Sequence, residues 1–187
     1  MHDPVQKYTD IINLIKFKIE DKKISKFPKI IAVTKTFRLE KIIPLIDYGH
    51  LDYGENKVQE AIDKWTETKD KKPQIKLHLI GKLQTNKVKF ALKIFDYIHS
   101  VDNRKLAKKI ADEEVKQGKK IKIFLQINIG KEEQKSGVDK NELIDLYNYC
   151  NELNLNVIGL MCIPPVDVEP NKYFKETSLL NKKLCLP

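Results

Sequence analysis

Short apolar runs alternate with segments of helical period along the whole chain, and that alternation limits the possible folds more than any other feature. Val5, Tyr8, Ile12, Ile15 and Ile19 recur every three or four residues and predict an amphipathic helix. Ile30–Val33 then predicts a strand, and four consecutive apolar residues predict burial on both faces. Leu39, Ile42, Ile43 and Ile46 mark a helix that Pro44 starts late or kinks. Leu51–Tyr53 reads as a very short strand, and Asn56 as a cap for a helix carrying Val58, Ala61, Ile62 and Trp65. The pattern repeats with a strand over Ile75–Ile80 and a helix marked by Val88, Ala91, Leu92 and Phe95. Tyr97–Val101 is a strand, and Asp102 or Asn103 caps a helix with Leu106, Ala107, Ile110 and Ala111. Ile121–Ile129 is the longest strand. Asp139 and Glu142 resemble a capping box before Leu143, Leu146, Tyr147 and Cys150. Leu155–Leu160 is a further strand, and Asn171–Lys183 reads weakly as a helix.

Six β/α units without a long linker predict one α/β domain over residues 1–187, built on a parallel sheet covered by helices. The candidates are a doubly wound sheet and a (β/α)8 barrel. No glycine-rich dinucleotide or P-loop fingerprint supports the first. A barrel closes with about eight strands, so the expectation is an incomplete barrel that lacks its last two β/α units.

The formal charge of +9 raises the question of nucleic acid. Only Arg38 and Arg104 among the 35 basic residues are arginine, the residue best suited to bidentate phosphate and base contacts. The lysines are spread through every segment, so no nucleic-acid partner is expected. Cys150, Cys162 and Cys185 form no metal-spaced set, and their sparse, odd count suggests a reducing compartment. The first twenty residues do not form a signal peptide, and no apolar run approaches a membrane span. The expectation is a cytoplasmic monomer without a metal.

In a barrel, functional groups sit where strands end and βα loops begin. Those positions are Thr34-Lys35-Thr36, Gly54-Glu55-Asn56, Gly81 to Lys87 after His78, Ser100-Val101-Asp102, Asn128-Ile129-Gly130 with Lys135-Ser136-Gly137, and Gly159 to Pro164. Lys35 stands out, because a lysine that loses solvent at a sheet mouth can keep a neutral amine able to attack an aldehyde. Read by themselves, the others stay open. Asn56 is a helix cap or a ligand contact, His78 in Leu77-His78-Leu79-Ile80 is a hydrogen-bonded core residue or a functional one, and Met161 is packing or a contact. Glu55 and Asp102 read as solvated loop charges.

In their order and spacing, several segments together closely resemble the YggS/PROSC family of pyridoxal-phosphate homeostasis proteins. They include Ala32-Val33-Thr34-Lys35, Tyr53 to Glu60 (YGENKVQE), His78 to Lys87 (HLIGKLQTNK), Gln126 to Ile129, Lys135-Ser136-Gly137 and Gly159 to Pro164. The resemblance implies a TIM-barrel-like fold of the alanine racemase N-terminal type. It implies pyridoxal 5'-phosphate held as a Schiff base on Lys35, with a cofactor site of Lys35, Asn56, His78, Asn128 and Met161. It implies a role in intracellular cofactor homeostasis without robust catalysis; the alternative is an amino-acid racemase-like enzyme. Family members continue with a Leu-Ser-Met-Gly-Met-Ser-type strand and an Arg-Ile-Gly-type strand that cradle the phosphate. Their absence before Pro187 leads to an expectation of weak cofactor binding.

Overall fold

The computed structural model describes residues 3–130, 132 and 136–186. Lys135 and Pro187, both named above, lie outside the described residues. The chain begins with helix α1 (Pro4–Asp21), where the Asp3 side chain accepts from the Val5 amide at 2.9 Å and Pro4 supplies a preset first turn. The face marked by Val5, Tyr8, Ile12, Ile15 and Ile19 is the more covered one, yet no residue of α1 is fully buried.

Six strands follow: β1 (Ala32–Val33), β2 (Asp52–Glu55), β3 (Lys76–Leu79), β4 (Tyr97–Val101), β5 (Lys122–Ile127) and β6 (Asn156–Cys162). All pairs are parallel, and the spatial order is β1-β2-β3-β4-β5-β6. An unreversed order is barrel-type winding; a doubly wound sheet reverses direction at a switch point. The connecting helices are α2 (Ile43–Asp47), α3 (Val58–Lys71), α4 (Val88–Ile94), α5 (Arg104–Gln117) and α6 (Leu143–Glu152), with α7 (Asn171–Lys183) after β6. Among the described residues the sheet has six strands, so β1 and β6 are its edges.

The strand period of two sorts residues between the two faces. Leu77 and Leu79 of β3, Ile98 of β4, and Ile123 and Leu125 of β5 are fully buried under the helices. Tyr53, Trp65, Ala61, Ala91, Leu92 and Ile110 complete that core. The opposite, inner face is more polar: His78 stacks on Tyr97 with centroids 4.2 Å apart, and His99 stacks on Phe124 at 4.3 Å.

Three local expectations are corrected, and two hold. Ile30–Val33 is not buried on both faces: Ile30 to Ala32 are half-buried and Val33 is 48% exposed, because β1 has a strand neighbour on one side only. Pro44 acts as foreseen, splitting its helix into a 3-10 turn over Leu39–Lys41 and a short α2. Asn56 does not cap α3; Lys57 holds the cap position, with no side-chain cap bond. Asp139 and Glu142 do not make a capping box. The Asp139 carboxylate accepts from the Asn141 amide at 2.8 Å, and α6 begins only at Leu143. Asn103, by contrast, caps α5 by accepting from the Leu106 amide at 2.9 Å, and Gly118 ends that helix in the left-handed region.

Candidate functional site

At the ends of the strands lies a cavity of about 540 Å³, lined by Lys35, Asn56, Ile80, Gly81, Lys82, Gln126, Ile127, Asn128, Ser136, Met161 and Ile163. Four side chains singled out from sequence therefore converge on it from four different strand ends: Lys35 after β1, Asn56 after β2, Asn128 after β5 and Met161 within β6. The period of two accounts for the convergence. Val33 and Ile31 line the space that a Cβ on Gly54 would enter on the inner face, and Lys35, next in that series, also faces the cavity.

Lys35 occupies the second position of a four-residue turn closed by the Phe37 amide on the Thr34 carbonyl at 3.2 Å. Thr36, the third position, has φ 70, a conformation that a β-branched residue adopts at a cost. Shielding of the lysine was the expectation, but the residue is exposed at the cavity mouth, since its edge strand has no neighbour on the open side. No ion pair or hydrogen bond holds its amine among the described residues.

The Asn56 end of β2 and the Gly81 end of β3 touch. A Cβ on Gly81 would lie 2.3 Å from the Asn56 carbonyl oxygen, so only glycine lets the two strand ends approach this closely. Asn128 is braced by its own loop: its side-chain amide donates to the Glu132 carbonyl at 2.8 Å and accepts from the Glu132 amide at 3.1 Å. Gly137, at φ 128, passes so near the Asn128 backbone that a Cβ would sit 2.5 Å from its nitrogen. Gln126 donates to the Ser136 carbonyl at 3.0 Å, which ties the loop after β5 back onto the strand.

His78 does not line this cavity. It lies one inner-face position below Ile80, in a hydrogen-bonded row: its Nε2 is 3.0 Å from Asp52 Oδ1 and its Nδ1 is 2.9 Å from His99 Nε2. Burial, partly opposed by Asp52, holds the His78 imidazole below its ordinary range, and burial with the neighbouring His78 pushes His99 down to about 3. Both rings are thus neutral at ordinary pH. The Asp52 carboxylate oxygen accepts, so His78 donates from Nε2 and accepts at Nδ1 the proton of His99 Nε2.

Lys82 and Ser136 stand among the strand-end positions read from sequence but outside the cofactor set, and Gln126 as a lining residue and His99 and Asp52 as the partners of His78 were not foreseen. For Gln126 a signal was present, since it stands two residues before Asn128 in one strand and so shares its face. The histidine partners depend on interstrand register, which local sequence does not carry. Among the described residues no group of three or more His, Cys, Asp or Glu is placed to hold a metal. No described helix is long and apolar enough to cross a membrane.

The lining suits a small aromatic ring with polar substituents and an aldehyde within reach of an amine. Ile80, Ile127, Met161 and Ile163 offer apolar surface for a ring, Asn56, Gln126, Asn128 and Ser136 offer polar atoms, and Lys35 offers a primary amine. The volume lies within the range of small-molecule sites.

Residues 17–182 match the family model of the alanine racemase N-terminal domain. The pyridoxal phosphate homeostasis protein of Aquifex aeolicus is 38% identical over 162 residues, covering 83% of this chain and 69% of that protein. The protein of the same description from Pasteurella multocida is 36% identical, covering 74% of this chain and 60% of that one. Among solved structures, PipY of Synechococcus elongatus PCC7942 with PLP bound superposes with a TM-score of 0.76 at 30% identity, over 91% of this chain and 81% of that one.

Proposed function

The chain belongs to the pyridoxal phosphate homeostasis family, on the alanine racemase N-terminal fold, and from that premise we propose that it holds pyridoxal 5'-phosphate on Lys35 as an intracellular carrier. The observation that carries the reading is the meeting of Lys35, Asn56, Asn128 and Met161 on one cavity from four separate strand ends. When bound, the cofactor supplies an aldehyde that condenses reversibly with a primary amine: a C=N bond forms and the carbonyl oxygen leaves as water. Lys35 provides that amine. Its position at the cavity mouth leaves the side chain open to solvent. Ile80, Met161 and Ile163 supply the apolar walls, and Asn56 and Asn128 supply polar groups.

The reading is of a carrier rather than a catalyst. Proton abstraction from a bound amino acid needs a positioned acid and base, and the described lining residues include no carboxylate or imidazole. His78 and His99, the nearest imidazoles in the sheet interior, are already paired with each other and with Asp52. Among the described residues the cysteines Cys150, Cys162 and Cys185 are free thiols, which suits the cytoplasm.

The test is spectroscopic and chemical. Purified protein titrated with pyridoxal 5'-phosphate is expected to gain the visible absorbance of a lysine adduct. Borohydride reduction and peptide mapping are expected to place that adduct on Lys35. Lys35→Ala is expected to abolish the band. A band that survives that substitution, or an adduct that maps to another lysine, overturns the assignment.

A further inference from the structure

Thr34, the residue before Lys35, is held from the helix side of the sheet by a network that never reaches the cavity. Its hydroxyl donates to Glu55 Oε1 at 2.7 Å. The Lys64 ammonium, projecting from α3, donates to the Thr34 carbonyl at 2.9 Å and to the same Glu55 oxygen at 2.8 Å. The Trp65 indole donates to that oxygen at 3.0 Å. Thr34 also donates its backbone amide to the Gly54 carbonyl at 2.9 Å.

This concentration of bonds is out of scale with the strand it serves. β1 has two register pairs, Ala32 with Tyr53 and Val33 with Gly54, and Val33 stays about half exposed. Strand pairing alone therefore fixes the lysine turn weakly. Glu55 is fully buried, with Lys64 itself only 12% exposed. Its second oxygen, Oε2, is buried and without a hydrogen-bond partner. A buried carboxylate with one satisfied oxygen costs stability relative to an apolar group that fills the same space. Three donors converge on the other oxygen, and two of the donor residues, Thr34 and Lys64, hold the Thr34–Phe37 turn directly.

We propose that Glu55, braced by Lys64, is a positioning residue for the Lys35 amine. It clamps Thr34 so that the following residue enters the turn at a fixed angle and presents its side chain to the cavity. Thr36 in the left-handed region supplies the other end of the constraint. Lys35 is thus gripped through the backbone on both sides, while its amine stays free of any partner among the described residues that would compete with an aldehyde. The inference rests on the assignment of Lys35 as the reactive amine.

The experiment compares wild type, Thr34→Val, Lys64→Met and Lys64→Arg in the full chain. The first readout needs no cofactor: trace acetylation by acetic anhydride across a pH series, with Lys35 labelling expressed relative to exposed Lys93 of α4 in the same molecules. The second is titration with pyridoxal 5'-phosphate, with the adduct mapped after borohydride reduction. Thr34→Val preserves shape and removes one hydroxyl. It is expected to weaken adduct formation at Lys35 by about fivefold to tenfold, the scale of one lost hydrogen bond. It is also expected to displace the pH profile of Lys35 labelling and, because it takes one of three donors from a buried carboxylate, to lower the urea midpoint while leaving the chain folded. Lys64→Met is expected to act in the same direction, and Lys64→Arg to restore wild-type behaviour. Affinity and labelling profile unchanged in folded Thr34→Val overturn the proposal, as does Lys64→Arg behaving like Lys64→Met. Should Lys64→Met fail to fold, Thr34→Val decides alone. If wild type gains no band, the cofactor assignment fails, and the acetylation profiles still decide whether the clamp positions the amine.

Discussion

Replacing His99 with phenylalanine should remove a large part of the chain's sensitivity to mild acid. His99 is 8% exposed, lies against the Phe124 ring and gives its Nε2 proton to His78, so its imidazole is held neutral down to about 3. In the unfolded chain the same ring titrates near 6.5. Between those values the unfolded state binds the extra proton and the folded state does not, so stability falls as pH drops from 6.5 toward 3. At pH 5 the unfolded ring is almost fully charged and the folded ring still neutral. The lag of about 1.5 pH units below 6.5 then corresponds to about 2 kcal/mol. This figure depends on the unfolded value, because at pH 5 the folded ring carries no proton to speak of. Phenylalanine keeps the stacking on Phe124 and cannot titrate. It leaves the buried His78 Nδ1 without its donor, at a pH-independent cost of about 1–3 kcal/mol. The assay is urea unfolding at pH 7 and pH 5, followed by the fluorescence of Trp65, the chain's one tryptophan, which is buried beside Tyr53. Wild type should lose about 2 kcal/mol more than His99→Phe between the two pH values, roughly 1 M in urea midpoint for an m-value of about 2 kcal/mol/M. Carboxylates common to both proteins cancel in that comparison. Equal losses in the two proteins refute a buried, neutral His99.

Two further substitutions test the frame around the cavity. Gly81→Ala puts a methyl group 2.3 Å from the Asn56 carbonyl oxygen, where backbone and not a flexible side chain must yield. It should cost about 2–3 kcal/mol in urea unfolding and weaken the cofactor band; a variant as stable as wild type means that the β2 and β3 ends are not in contact. Asp96→Ala strips the acceptor from the Leu77 amide at 2.9 Å and from the Lys69 ammonium at 2.6 Å, and should cost about 2–3 kcal/mol by the same assay. A loss below 0.5 kcal/mol would show that this carboxylate does not tie β3 to α3.

The repeating β/α pattern was legible because burial against helices demands apolar residues at a fixed period, and a local string displays its period. α7 at Asn171–Lys183 and β4 at Tyr97–Val101 fall where the periodicity places them. What the string does not display is which strand lies at an edge. Four apolar residues before Lys35 read as a doubly covered strand, yet Val33 is exposed because only β2 lies beside it. Hydrogen-bond partners across strands were equally hidden. Asp52, His78 and His99 stand 26 and 21 residues apart in sequence and meet through the registers of β2, β3 and β4. Glu55 read as a solvated loop charge because it follows a glycine at a strand end. One residue of register turns it under α3, where Lys64 and Trp65 close over it.

That register logic also explains how one short segment serves two ends. Thr34 and Lys35 are consecutive, so they point to opposite sides of the sheet. Thr34 enters the helix-covered layer, where its hydroxyl is buried and bonded, and Lys35 enters the cavity with an amine that has no partner among the described residues. β2 repeats the division one step along: Glu55 joins the covered layer and Asn56 the cavity. A tether on the covered side is insulated from the ligand by the sheet itself, so the network can be rigid without occupying the space a cofactor needs. The same separation predicts the direction of mutational effects. Changes to Asn56 or Met161 should alter ligand affinity with little effect on folding. Changes to Thr34, Glu55 or Lys64 should act on the amine through the backbone, and so move the reactivity of Lys35 even when no ligand is present.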